Sequence, residues 1–166
     1  MTATGSENQE RTAFIANGRV VATCLSKEKG QRKTRVTPVI LRENHGIEGD
    51  AHAGTWHRQV SLLAKESIDR MRKMGLDVNA GDFAENITTI GIDLPSLLPG
   101  TVLTIGEAEL EVTQIGKECH NRCSIYYQAG DCVMPKEGIF AKVLRGGTVK
   151  HGDTVEVRLQ PAARNS

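Results

Sequence analysis

The sequence predicts a mainly β domain with short helices, closed or nearly closed into a barrel of about seven strands. Short strand-like runs recur along the chain at spacings too irregular for the regular strand–helix alternation of a doubly wound sheet. Helical patterning is confined to two or three short stretches, and neither an internal repeat nor a linker divides the chain. At 166 residues it is large enough to bury a sizeable core as one domain.

Residues 1–12, MTATGSENQERT, are small and polar and read as a disordered leader, with a single domain at 13–159 and a frayed tail at 160–166. GRVVATCLS reads as the first strand, with Cys24 a small buried hydrophobe inside it. KEKGQRKTR is a basic loop; such runs are usually solvated, and this one is also placed to steer an anionic ligand. RVTPVILRE is a second extended run, in which Pro38 marks an edge or a strand start. Ser61 caps an expected helix carrying Leu62, Leu63, Ile68, Met71 and Met74, which Gly75 ends. A strand follows around Ile87, then a turn-rich connector, LPSLLPG. TVLTIG and AELEVTQIG form a hairpin about Gly106 and Glu107. CSIYYQAG reads as a short helix, EGIFAKVLRGG as another closed by glycines, and DTVEVRL as the final strand.

A formal net charge of +1 argues against a dedicated nucleic-acid binder, and 4% aromatic residues argue against a stacking platform for bases. No apolar run approaches the roughly 20 residues needed to cross a bilayer, and the first dozen residues carry no signal-peptide pattern. A cytoplasmic protein with no membrane partner is the expectation. In that setting four cysteines read as free thiols rather than a disulfide framework.

Three of those cysteines, Cys119, Cys123 and Cys132, crowd into GKECHNRCSIYYQAGDCVMPKEGIFAKVLRGG, a polar, glycine-rich stretch that follows a strand-like run. A thiol on a loop leaving a strand sits where N–H groups and cations favour its thiolate. Three readings compete. One is a zinc site completed by His120 or another histidine, although Cys-x3-Cys-x8-Cys is not a common zinc spacing. The second is a nucleophilic or sulfur-carrying thiol at Cys119, with Lys117, His120 and Arg122 close enough in sequence to lower its pKa. The third is a set of loop thiols without a role.

NHGIEGDAHAGTWHRQVSLL holds the second concentration of chemistry: His45, His52 and His57 beside Glu48, Asp50 and Arg58, punctuated by Gly46, Gly49 and Gly54. Histidines in such loops are often plain surface residues. Functionally, Asp50, Arg58 and the histidines suit a pocket wall for an anion such as phosphate, where glycines let the backbone approach. Gly81, Asp82, Glu85 and Asn86 suit a third wall that hydrogen-bonds a donor-rich heterocycle.

GIEGDAHAG-WHRQVSLL, GDFAENITT-GI and the cysteine segment together closely resemble the MOSC domain, named for the C-terminal domain of molybdenum-cofactor sulfurases, from about Phe14 to Val157. The small stand-alone bacterial members are the most similar. The resemblance implies a barrel-like, strand-rich domain that handles molybdenum cofactor. It implies that Cys119 carries sulfur as a persulfide or ligates molybdenum, and that Asp50, Arg58, Gln59, Asp82, Glu85 and Asn86 occupy the family's other motif positions. Where the family pattern often has glycine before Glu-Asn, this chain has Ala84. Arg58, with Lys117 or the 27–35 loop, would meet the cofactor's phosphate; Cys123 or Cys132 would resolve a persulfide. Sulfur would arrive from a cysteine desulfurase or other donor, the chain being far too short to contain one, and pass to a molybdoenzyme or cofactor-biosynthesis protein. Two alternatives stand beside this: a molybdenum-dependent reductase of N-hydroxylated compounds with a separate redox partner, and a non-catalytic cofactor-delivery module.

Overall fold

The structure, a computed structural model, describes residues 17–116 and 137–159. Among them are β1 (Asn17–Leu25), β2 (Thr34–Arg35), β3 (Val39–Arg42), β4 (Gly46–Ile47), β5 (Val60–Ala64) and helix α1 (Lys65–Lys73). Then come β6 (Ile87–Ile90), β7 (Val102–Ile105), β8 (Ala108–Ile115), β9 (Ile139–Arg145), β10 (Gly147–Val149) and β11 (Thr154–Leu159). Seven of the strands run β1-β6-β5-β9-β8-β7-β11, and β11 returns to β1 through Asn17↔Glu156 and Arg19↔Thr154, which closes the barrel. Closure leaves these strands no open edge. Among the described residues only β5 and β6 pair in parallel, because α1 carries the chain across between them. β2 branches from the end of β1, and β10, β3 and β4 form a separate three-stranded sheet.

Alternation fills the interior. Leu62, Ile87, Leu103, Ile105, Leu110, Val112, Ile139, Ala141, Val143 and Val155 belong to one buried cluster, joined by Val39, Leu41, Ile47 and Val149 from the small sheet. A second cluster lies under α1: Leu63, Ile68, Met71, Val78, Phe83 and Phe140. The hairpin about Gly106 and Glu107 is present, with Leu103 opposite Leu110. Gly75 ends α1 with φ +98°, a conformation open to glycine without strain.

Of two expected helices, one is a strand in its first residues and the other a strand throughout. The residues read as a helix capped by Ser61 begin with β5, and the helix starts only at Lys65, after Ala64, with no side-chain cap. All five β5 residues are buried, Leu62 towards the barrel core and Leu63 towards α1. A strand covered on both faces loses its alternation and reads as a continuous apolar run. The same holds for β9, expected as a helix: Ile139, Ala141 and Val143 face the core and Phe140 the second cluster. Nor do Gly146 and Gly147 cap a helix. A Cβ at Gly146 would lie 2.5 Å from the Leu41 carbonyl oxygen and one at Gly147 2.6 Å from Glu107 Cβ, so both permit close crossing between strands. The expected CSIYYQAG helix lies outside the described residues.

Candidate functional site

Just beyond β1 the chain builds a buried ionic knot. Lys33 Nζ donates to Asp50 Oδ1 at 2.8 Å and to Ser26 Oγ at 3.1 Å, and lies 3.1 Å from His52 Nδ1. Asp50 also accepts from the N–H groups of Ser26 (3.1 Å) and His52 (3.0 Å). Neither the Lys33 nor the Asp50 side chain reaches solvent. Burial by itself would raise the Asp50 carboxyl. The Lys33 hydrogen bond and charge, with the two N–H groups, outweigh it and hold the carboxyl below its ordinary 3.8. Lys33 thus departs from the solvated loop expected for KEKGQRKTR, because its ammonium has a wholly buried carboxylate to neutralise.

The 79–86 loop is equally engaged. Glu85, fully buried, accepts from Gly81 N (2.7 Å), Phe83 N (3.2 Å) and Thr88 Oγ1 (3.0 Å). Burial pushes its carboxyl up, against the lowering effect of these donors. Asn86 Oδ1 accepts from Ser61 N at 3.0 Å while Nδ2 donates to the Cys24 carbonyl at 3.0 Å, tying β1 and β5 to the start of β6. Asp82 accepts from Asn79 N at 2.8 Å and pairs with Arg32 at 3.5 Å. Ala84 adopts φ +65°, a left-handed conformation that costs an L residue with a Cβ about 1 kcal/mol. Ala84→Gly is therefore expected to stabilise the protein by about 0.5–1 kcal/mol in urea unfolding, the strain relieved outweighing the added freedom of the unfolded chain.

The third group surrounds the end of β8. His57 Nε2 at 2.8 Å and Arg58 Nε at 3.2 Å both approach Gln114 Oε1, and Gln114 Nε2 donates to the Gly116 carbonyl at 2.8 Å. The Arg58 guanidinium lies over the Phe140 ring, 5.2 Å from its centroid. Among the described residues its terminal nitrogens meet no hydrogen-bond partner. Gln59 is fully buried; it donates to Asn44 Oδ1 at 3.0 Å and accepts from Val143 N at 2.9 Å. Gly116 N in turn donates to the Gly138 carbonyl at 2.7 Å, which closes the base of the segment between them.

Cys119, Cys123, Cys132, His120 and Lys117 lie outside the described residues. Cys24 is a buried free thiol, which burial and the charge of Glu85 push up to about 12. Titration of the folded protein with an aromatic disulfide reagent at pH 8 is expected to count no more than three of the four thiols, the fourth reacting only after unfolding.

Of the residues singled out from sequence, the structure brings His57 and Arg58 together and places Asp50 beside His52. Glu85, Asn86 and Gln59 have their polar atoms spent on the scaffold. Sequence reasoning missed Lys33 and Gln114: an amide in strand β8 and one lysine among several carry no local signal that a distant partner waits for them. Among the described residues no group of His, Cys, Asp and Glu is arranged to hold a metal ion, and no helix is long and apolar enough to cross a membrane.

The fold and this face define a small closed-barrel domain whose loops carry a buried ionic knot and an arginine that shares Gln114 with His57. The chain belongs to the MOSC domain family, whose model matches residues 49–156. It is similar in fold to the YUAD protein of Bacillus subtilis, at 21% identity and TM-score 0.71 over 87% of this chain and 97% of that one. YiiM of Geobacillus stearothermophilus is similar at 21% identity and TM-score 0.62, over 85% of this chain and 75% of that one. YiiM of Escherichia coli is similar at 19% and 0.61, over 87% and 71%. No curated protein matches the sequence significantly.

Proposed function

We propose that this MOSC protein binds molybdenum cofactor and that Cys119 carries sulfur for it as a persulfide, in cofactor sulfuration or handling. The observation that supports this is the convergence of His57 and Arg58 on Gln114, which bonds in turn to the carbonyl of Gly116. Cys119 follows Gly116 by three residues in the sequence. An anion-reading group is thereby coupled to the strand end from which the cysteine segment departs.

The donor set fits the cofactor's phosphate. Arg58 offers terminal N–H groups in a plane held by Gln114 and Phe140, with His57 beside it, and Lys117 adds a further cation. Asp50, His52, Gln59, Asp82, Glu85 and Asn86 serve this reading as the framework that holds the three loops in place. Bound cofactor supplies the molybdenum centre for which the sulfur is destined.

The protein's own step is a thiol exchange. The Cys119 thiolate attacks the outer sulfur of a donor's persulfide; a new S–S bond forms at Cys119, the donor's S–S bond breaks, and the donor thiolate leaves. His120 and Lys117, neighbours in sequence, favour the attacking thiolate. If the sulfur is not passed on, Cys123 or Cys132 attacks the inner sulfur, which yields a disulfide and expels hydrogen sulfide. A cysteine desulfurase suits the donor, and a molybdoenzyme or cofactor-biosynthesis protein the recipient, in the cytoplasm.

The test is persulfide loading from a small-molecule persulfide donor, read by thiol trapping and mass spectrometry, alongside bound pterin read by fluorescence after oxidation. Cys119→Ala is expected to lose loading at least tenfold while retaining pterin. Equal loading in the variant would remove Cys119 from the mechanism.

A further inference from the structure

We propose that Trp56 is the stacking face for the planar ring of an anionic heterocycle whose charged group is met by Arg58. Its assignment to a pterin rests on the function proposed above. Trp56 is the chain's single tryptophan and remains 38% exposed. Its position is nonetheless fixed: the indole N–H donates to the His52 carbonyl at 2.8 Å, and its backbone N–H to the Gly54 carbonyl at 3.0 Å. With the polar edge used internally, the surface left to solvent is ring carbon, which water solvates poorly.

The surroundings are rich in nitrogen. Lys29 Nζ lies 5.3 Å from the ring centroid, and the His57 ring meets Trp56 edge-on, with centroids 5.9 Å apart and planes at 69°. Arg58 is two residues on, joined to His57 through their shared acceptor Gln114. Glu28, the carboxylate next to Lys29 in the chain, already accepts from Gln31 at 3.2 Å. An exposed lysine on a flexible stem can swing from the ring towards a ligand's anion. A fixed indole with Lys29 and His57 against it, and Arg58 joined to His57 through Gln114, matches a flat ring with an acidic tail. The sparse aromatics that exclude a run of stacked bases do not exclude this, since one ring serves one heterocycle.

Pterin-6-carboxylate, a flat ring with an anionic group, is the probe, with affinity measured by equilibrium dialysis against the full-length protein. The single tryptophan provides a second readout: saturable quenching by the pterin, and none by inorganic phosphate alone. Trp56→Leu is expected to weaken binding at least about tenfold, as loss of one stacked ring does. Trp56→Phe should stay within about threefold of the wild type, because it keeps a π face while losing the N–H. If the indole mattered only as a loop anchor through its N–H, Phe would fail as badly as Leu, and that pattern would overturn the proposal. Equal affinity in wild type and Trp56→Leu would overturn it too, while leaving cofactor binding intact. A wild-type protein that binds no pterin at all would instead remove the cofactor reading, and this one with it.

Discussion

Asp50→Ala should lower the melting temperature by about 10 °C, a loss of about 3–5 kcal/mol in a domain of this size. Removing the carboxylate leaves the Lys33 ammonium shut away from water with, among the described residues, the Ser26 hydroxyl and His52 as its remaining partners. It also strips the N–H groups of Ser26 and His52 of their acceptor. The double variant Asp50→Leu/Lys33→Met should recover most of the loss, since removing both charges removes the desolvation cost along with the attraction. Additive losses in the two single variants and the double would show that the pair is not coupled.

The same carboxylate gives an acid limb. Its native pKa lies below the ordinary 3.8, so as pH falls the unfolded chain takes up the proton before the folded one. Asp50 therefore adds stability above that ordinary value and loses it as pH drops through the lowered native one. Glu85 acts in the opposite sense: its raised native pKa favours the folded state below the ordinary 4.5, a contribution lost as pH rises through the raised value. The stability gap between wild type and Asp50→Asn should accordingly narrow as the pH is taken below about 4. A gap constant from pH 7 to 3 would remove the charged pair as its cause.

Asn86→Ala should cost about 2–4 kcal/mol in urea unfolding, with little change in the slope. Its side chain is the acceptor for the N–H of Ser61 and the donor to the carbonyl of Cys24, both buried. Truncation orphans one group on each of two barrel strands, in a place where water cannot replace the amide. Asn86→Asp keeps the acceptor but sets a buried carboxylate against the Cys24 carbonyl oxygen, and should cost at least as much as alanine at neutral pH. A loss below about 0.5 kcal/mol in the alanine variant would mean that the strands do not depend on this bridge.

Much of the fold was legible. β1, the hairpin of β7 and β8, the strand at Ile87 and the last strand were marked by β-branched runs between glycine-rich turns. β5 and β9 were not, for a shared reason: each is covered by the barrel core on one face and by the α1 layer on the other, which erases the two-residue period. At the site, residue types were legible and their employment was not. Asp50, Glu85 and Asn86 stand out in sequence as polar groups in glycine-bearing loops, which is equally the signature of ligand contacts and of buried acceptors for orphaned N–H groups. Burial separates the two, and burial is a property of the folded chain.

The sequence by itself carried the motifs that resemble the MOSC domain, and local chemistry determined the strand-rich class and the positions where loops must turn, because turn residues and β-branched runs act on their immediate neighbours. Which polar side chains support the scaffold and which face a ligand was decided only by tertiary structure. Lys33 reaches Asp50 across 17 positions and Gln114 reaches Arg58 across 56, partnerships that exist only once the barrel has closed.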